Sequence, residues 1–170
     1  MMQYYGFDNY EDFWKWSVTN KETFWEATVK NLDIKLAKNY TSIVDISKGV
    51  ENAVWLKNSK LNIVDSCFQN NENATAVIFQ EEGKEIQKIT QKQLLKLVNK
   101  IANGLQEFGL KVGDKIAINM PMTLEAVAIY LAGIKAGMPI VTIADSFTPN
   151  EIEIRLSITK PKVIFTQDVL

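Results

Sequence analysis

The sequence of 170 residues contains no histidine and a single cysteine, Cys67. Without histidine, a Ser-His-Asp triad, a Cys-His pair and any histidine-ligated metal site are excluded within these residues. One cysteine cannot form an internal disulfide, so we expect an ordinary thiol in a reducing compartment and predict a cytoplasmic location. The sequence shows no basic region followed by an apolar run at its start, and the apolar segment around Leu131 is too short to cross a bilayer.

An excess of charge of either sign is also missing. The 19 basic and 20 acidic residues leave a formal net charge of -1. Such a balance gives no long-range field that would attract nucleic acid or an anionic membrane, and we predict neither partner. Hydrophobic residues make up 46% of the sequence, which at this length is enough for one domain with a core.

The segment from residue 115 to residue 143 has the pattern of a strand, a helix and a second strand. Residues 115–120 (KIAINM) favour a strand, Thr123 is a candidate N-cap, and Gly137 is placed where the following helix should end. Residues 140–143 (IVTI) are largely β-branched and again favour a strand. Two strands joined this closely through a helix predict a parallel crossover unit, and therefore an α/β fold in which helices are layered on a parallel or mixed sheet.

The helix of this unit is apolar on almost every side. We therefore expect it to be covered on more than one face. On this interpretation Val127 is buried, and the Val127→Asp change should unfold the chain because its charge would have no partner.

The remaining sequence suggests two regions. Residues 1–60 are predicted to form a helical, aromatic-rich leader and a wrapping loop, with capping-box spacings at Asp8 and at Thr19. Residues 61–170 are predicted to be the first part of an α/β domain, with strands at 75–80 and 85–90. A long helix should follow, because apolar residues repeat at helical spacing and Gly109 then provides a stop: Leu94, Val98, Ile101, Leu105 and Phe108.

Residues 151–159 are compatible with two structures. They alternate between polar and apolar residues as a strand does. However, Thr148, Pro149 and Glu151 together form a helix start signal. A parallel crossover to a further strand at 163–165 needs a helix here, and we predict one.

Three stretches carry a resemblance to a known family: residues 10–18 (YEDFWKWSV) with Phe24 and Trp25, residues 61–67 (LNIVDSC), and residues 112–122 (VGDKIAINMPM) with the Phe147-Thr148-Pro149 motif. They resemble the N-terminal part of the AMP-forming acyl-CoA synthetases of the adenylate-forming superfamily, and most closely acetyl-CoA synthetases. The fold implied by this resemblance is the N-terminal portion of the large domain of an adenylate-forming ligase.

The resemblance implies a two-step ligase that uses ATP, CoA and Mg2+. A short-chain acid such as acetate reacts with ATP to give an acyl-adenylate and pyrophosphate, and the CoA thiol then displaces AMP. The family's phosphate loop, its CoA-binding arginines and its catalytic lysine would lie beyond Leu170. We therefore expect no catalytic or metal-binding residue in this chain, an inactive fragment, and self-association through an open sheet edge.

One family site reaches into the sequence. The turn formed by Ala144, Asp145 and Ser146 is similar in position to the turn that borders the adenine of CoA, although the family has an aromatic residue and two glycines there. Loops at the carboxyl ends of parallel strands are where open α/β sheets hold ligands. The alternative is that Asp145 and Ser146 only shape the turn before the helix that Thr148 begins.

Two other classes of protein remain open. One is a stand-alone binding or scaffold module without catalysis. The other is a small flavodoxin-like nucleotide binder, which would bind FMN tightly.

Overall fold

The computed structural model of the protein describes residues 1–168. The chain divides into two compact units, of which the first comprises Met1–Ser66 and the second begins at Cys67. In the first unit the elements are α1 (Tyr10–Thr19), α2 (Lys21–Asn31), β1 (Ser42–Asp45), a short 3-10 turn (Val50–Asn52) and β2 (Val54–Lys57), and α3 (Ile63–Cys67) follows at the junction.

Aromatic rings form the contact between α1 and α2. Phe13, Trp16 and Phe24 have ring centroids 5.8 to 6.1 Å apart, and Phe7 lies 5.3 Å from Trp16. Such edge-to-face and tilted pairs add to the apolar burial that holds the two helices together. Trp14, also on α1, is 50% exposed and takes no part in this cluster of rings.

The predicted starts of the first two helices are wrong. The N-cap of α1 is Asn9, one residue after Asp8, and its Oδ1 accepts a hydrogen bond of 2.9 Å from the backbone amide of Asp12. Thr19 does not begin α2, because its hydroxyl donates back to the carbonyl of Lys15 at 2.7 Å. The predicted loop that follows contains an antiparallel hairpin, in which β1 pairs with β2.

The second unit contains β3 (Thr75–Phe79), β4 (Gln87–Thr90), α4 (Gln91–Glu107), β5 (Ile116–Ile118), α5 (Leu124–Lys135), β6 (Ile140–Thr142), α6 (Pro149–Thr159) and β7 (Val163–Phe165). Strands β3 and β4 form an antiparallel hairpin. Strands β6, β5 and β7 form a parallel sheet in that order, with Ile116 beside both Ile140 and Val163. The predicted α/β fold and the predicted helix before β7 are both confirmed.

Helix α4 shows which part of the periodic pattern faces the core. Its buried residues are Leu94, Val98, Ala102 and Leu105. Phe108 continues the spacing but is 78% exposed, so the apolar period extends past the residues that reach the core. The chain leaves the helix at Gly109 with φ +92°, which confirms the predicted glycine stop.

Helix α5 is not covered on every side. Its buried positions are Ala126, Ala128, Ile129, Ala132 and Gly133, and the helix packs against α4, β5 and β6. Val127 is only partly buried, so the prediction that it is an interior residue is wrong. Three apolar or aromatic residues of α5 that are not buried, Val127, Tyr130 and Leu131, line the cleft described below.

The start of α4 offers a test of local stability. The Gln93 amide donates to the Thr90 hydroxyl at 3.2 Å, and the Thr90 amide donates to the Gln93 side chain at 2.8 Å. We expect Thr90→Ala to lower the free energy of unfolding by about 1 kcal/mol, because it removes the hydroxyl that accepts from the Gln93 amide, whereas the bond from the Thr90 backbone amide can remain. Urea titration should show this loss, and Thr90→Ser should recover most of it. Equal stability of the two variants would contradict the role of the hydroxyl.

Candidate functional site

A cleft of about 820 Å³ lies where β5 and β6 end in the second unit. Two kinds of element form it, namely helix α5 and the segments that leave the two parallel strands. The walls are mainly apolar and include Met120, Met122, Val127, Tyr130, Leu131 and Phe147. The crevice at the carboxyl ends of parallel strands is the usual ligand position in open α/β sheets.

The structure places two of the three predicted site residues at this cleft. Ala144 and Asp145 line it, whereas Ser146, the next residue, does not. All three are exposed. The turn closes through a hydrogen bond of 3.2 Å from the Phe147 amide to the Ala144 carbonyl. None of these residues has a positive φ, so this turn does not require glycine.

Asn119 is a residue of the site that sequence reasoning missed. Its side-chain amide donates to the Ala144 carbonyl at 3.0 Å and more weakly to the Ile143 carbonyl at 3.4 Å. Its backbone amide donates to the Phe165 carbonyl at 2.9 Å. Asn119 therefore joins the ends of all three strands of the parallel sheet. The only signal for it in the sequence is an amide side chain directly after a fully apolar strand.

A second missed residue is Arg155, the only arginine in the sequence. Its guanidinium lies 4.0 Å from the ring centroid of Phe147, and its Nη1 donates to the Glu151 carbonyl at 2.9 Å. A guanidinium over an aromatic face is attracted by the negative charge density of the ring. From its position on α6, Arg155 therefore packs against Phe147, one of the residues that line the cleft.

The start of α6 is fixed by Glu151. Its carboxylate accepts hydrogen bonds from the backbone amide of Thr148 at 2.9 Å and from the Thr148 hydroxyl at 2.8 Å. These bonds hold the pKa of Glu151 below its usual value. Because the folded-state pKa is lowered, this contribution to stability is present at neutral pH and is lost as the pH falls through that pKa. The predicted start signal of Thr148, Pro149 and Glu151 is confirmed.

The residues of the cleft suit some ligand groups better than others. Apolar side chains and one carboxylate, Asp145, fit a flat or flexible apolar group that carries N–H donors. They do not fit a triphosphate with Mg2+, which needs cationic and clustered carboxylate ligands. Among residues 1–168 no group of three or more His, Cys, Asp or Glu is placed to hold a metal ion.

Within residues 1–168, none of the helices has the length and apolar character needed to cross a bilayer.

Two family models match the chain. Residues 64–170 match the model described as AMP-binding enzyme, and residues 10–67 match the model of the acetyl-coenzyme A synthetase N-terminus. The first match covers the parallel sheet and the whole cleft.

Curated relatives extend this similarity along nearly the whole chain. Hexanoyl-CoA synthase of Cannabis sativa is 36% identical over 170 residues, which is 94% of this chain and 24% of that protein. Probable acyl-activating enzyme 18, peroxisomal, of Arabidopsis thaliana is 36% identical over 172 residues, or 96% of this chain and 23% of that protein. The chain therefore spans about a quarter of the length of these relatives.

A solved structure shares the fold. Acetoacetyl-CoA synthetase from Streptomyces lividans superposes with a TM-score of 0.83 at 24% sequence identity, and the superposition covers 89% of this chain and 24% of that one.

Proposed function

Because the chain belongs to the AMP-binding enzyme family, within the adenylate-forming superfamily, we propose that it is the N-terminal part of an acyl-CoA ligase for short-chain acids. The observation that carries the proposal is the family match over residues 64–170, since these residues build the parallel sheet and its cleft. The second match, to the acetyl-coenzyme A synthetase N-terminus, supports a short-chain acid such as acetate. The names of two similar proteins add hexanoate and acetoacetate as candidates.

The proposed reaction has two steps. An oxygen of the carboxylate attacks the α-phosphorus of ATP, which breaks the bond to pyrophosphate. The CoA thiol then gives up its proton to solvent, its sulfur attacks the acyl carbon, and AMP leaves with the electron pair of the broken bond between the acyl carbon and the phosphate oxygen. Both steps need cationic groups or Mg2+ around the phosphates. We assign no residue of this chain to that chemistry.

The proposed contribution of this chain is a binding surface for CoA. Ala144, Asp145 and Ser146 would border the adenine, with apolar contact from Phe147 and Met120 in the cleft. The Asp145 carboxylate would accept a hydrogen bond from the exocyclic amine of the base. The alternative role of Asp145 and Ser146, shaping the turn before α6, is compatible with their exposure.

The proposal includes an organisation of the chain and a location. In this organisation residues 61–170 are the first part of the large α/β domain and residues 1–60 are an N-terminal leader, which the match of residues 10–67 to the acetyl-coenzyme A synthetase N-terminus supports. We retain the cytoplasm as the proposed location, which follows from the reduced thiol expected at Cys67. For the 170-residue chain on its own, we propose self-association through the outer edges of β6 and β7, because an unpaired strand edge can pair with a second copy.

The proposal is tested by comparing the 170-residue chain with the same chain continued through its reading frame to the natural stop codon. Formation of AMP from ATP and CoA is measured with acetate, acetoacetate and hexanoate. We expect acid-dependent AMP formation from the extended protein and none from the 170-residue chain. A stop codon directly after codon 170 would favour a stand-alone module instead. Tight binding of FMN would favour a flavodoxin-like protein.

A further inference from the structure

We infer that Asn119 and Arg155 are positioning residues, which together hold the turn at residues 144–147 in the shape that borders the cleft. Asn119 acts from the end of β5, and Arg155 acts from the first turns of α6. The inference deepens the proposed function and rests on it, because the ligand of this turn is taken to be CoA. Its structural part, the restraint on the turn, can be tested separately.

The backbone of Asn119 is held in the parallel sheet, independently of the turn. It follows Ile118, which is 6% exposed, and its own amide is paired with Phe165 on the neighbouring strand. Its side-chain amide therefore projects from a rigid base. The carbonyl that it binds most closely, that of Ala144, is the same carbonyl that accepts from Phe147 and closes the turn. One side-chain donor thus restrains the central hydrogen bond of the turn.

Arg155 restrains the other end. Because its Nη1 is bound to the carbonyl of Glu151 one helical turn earlier, the guanidinium plane cannot swing freely. That plane lies over the ring of Phe147 and keeps the ring against the cleft. A lysine would retain the charge but not the planar, forked group that makes both contacts.

The residues between these two restraints have little else to hold them. Ala144, Asp145 and Ser146 are exposed, and none of them takes part in an ion pair among those found within residues 1–168. A loop that is ordered before binding loses less conformational entropy when the ligand arrives. Loosening the turn should therefore weaken the affinity for CoA, while sites elsewhere in the enzyme keep theirs.

Hydrogen exchange on the 170-residue chain tests the restraint. Asn119→Asp preserves the shape of the side chain but replaces the amide donor with oxygens that only accept. We expect the Phe147 amide to exchange about tenfold faster in Asn119→Asp and in Arg155→Lys, with β5 and α5 unchanged. Glu153→Ala, an exposed change on α6, is the control and should leave exchange unaltered. Unchanged exchange in Arg155→Lys, which is expected to fold, would overturn the inference even if Asn119→Asp failed to fold.

Steady-state kinetics on the protein continued to its natural stop codon tests the link to the ligand. We expect KM for CoA to rise about fivefold in each variant, while KM for ATP and for the acid stays within about twofold. A parallel rise in all three constants would indicate a general structural defect and overturn the positioning role. Faster exchange with an unchanged KM for CoA would overturn the assignment of the turn to CoA. Absence of any CoA-dependent turnover in the unmutated protein would instead refute the proposed function, and the exchange result would still decide the restraint.

Discussion

Replacing Ala132 with aspartate should abolish the cooperative unfolding of the second unit. Ala132 is 0% exposed and belongs to the core cluster together with Ile116, Val98 and Met138. A carboxylate at this position would lose its hydration and find no cation, and the added volume would strain the packing of α5 against its neighbours. We expect a loss of about 4 kcal/mol or more, a large share of the stability of an ordinary domain. Circular dichroism during heating measures it directly.

Val127→Asp on the same helix is the matched control. Val127 is partly buried and lines the cleft, so a carboxylate there can reach water. We expect a loss of about 1 to 2 kcal/mol, with a cooperative transition preserved. If the two aspartate variants melted alike, the assignment of one face of α5 to the core and of the other to the cleft would be wrong.

Gly133→Ala is expected to destabilise the protein by about 1 to 3 kcal/mol, although alanine is the better helix former. Gly133 is buried where α5 crosses the parallel sheet. A Cβ at this position would lie 2.7 Å from Cδ1 of Ile116, and closer still to Cδ1 of Ile140. Because Ile116 is fully buried, it cannot move away without disturbing the core. Urea denaturation followed by circular dichroism gives the change in free energy of unfolding.

Gly104→Ala makes the same substitution in α4 and should have the opposite effect. A Cβ on Gly104 would meet no atom within 4 Å, and the residue is exposed. The gain in helix propensity then acts alone, and we expect stabilisation by up to about 1 kcal/mol. Two changes of the same sign would show that propensity, and not the contact between helix and sheet, decides the outcome at Gly133.

These two glycines show where local sequence stops being informative. Each lies inside a helical pattern, and nothing in the neighbouring residues distinguishes an open position from a close approach. The same limit explains Phe108 and Val127, both of which match an apolar period without being buried. Periodicity predicts that a helix has an apolar face. The width of that face, and whether a neighbouring element covers it, depends on tertiary packing.

In the first 66 residues, the local sequence pattern also failed to identify the helix starts and the hairpin. Capping-box spacing was present at Asp8 and Thr19, yet Asn9 and Asn20 are the N-caps. At α1 the side chain of Asn9 accepts the capping hydrogen bond, whereas at α2 the side chain of Asn20 accepts none, so the spacing of residue types does not identify the cap at either start. The hairpin of β1 and β2 was missed because its strands are short and only one of their residues, Ile43, is buried, so they lack the fully buried apolar run that marks β5.

The sequence by itself determined the parallel crossover around α5, the helix that follows Thr148, and the turn between β6 and α6. The strands and helices of these features carry local signals, namely strand propensity, a cap, a proline or a glycine stop, and their short connections then leave a parallel crossover as the expected arrangement. Only the tertiary structure decided that Asn119 would bind the carbonyl of Ala144, 25 residues later, and that α5 would leave one apolar side open as a cleft. The physical reason is that a side-chain hydrogen bond or a cleft wall depends on which segments meet in space, and the order of residues along the chain does not specify that.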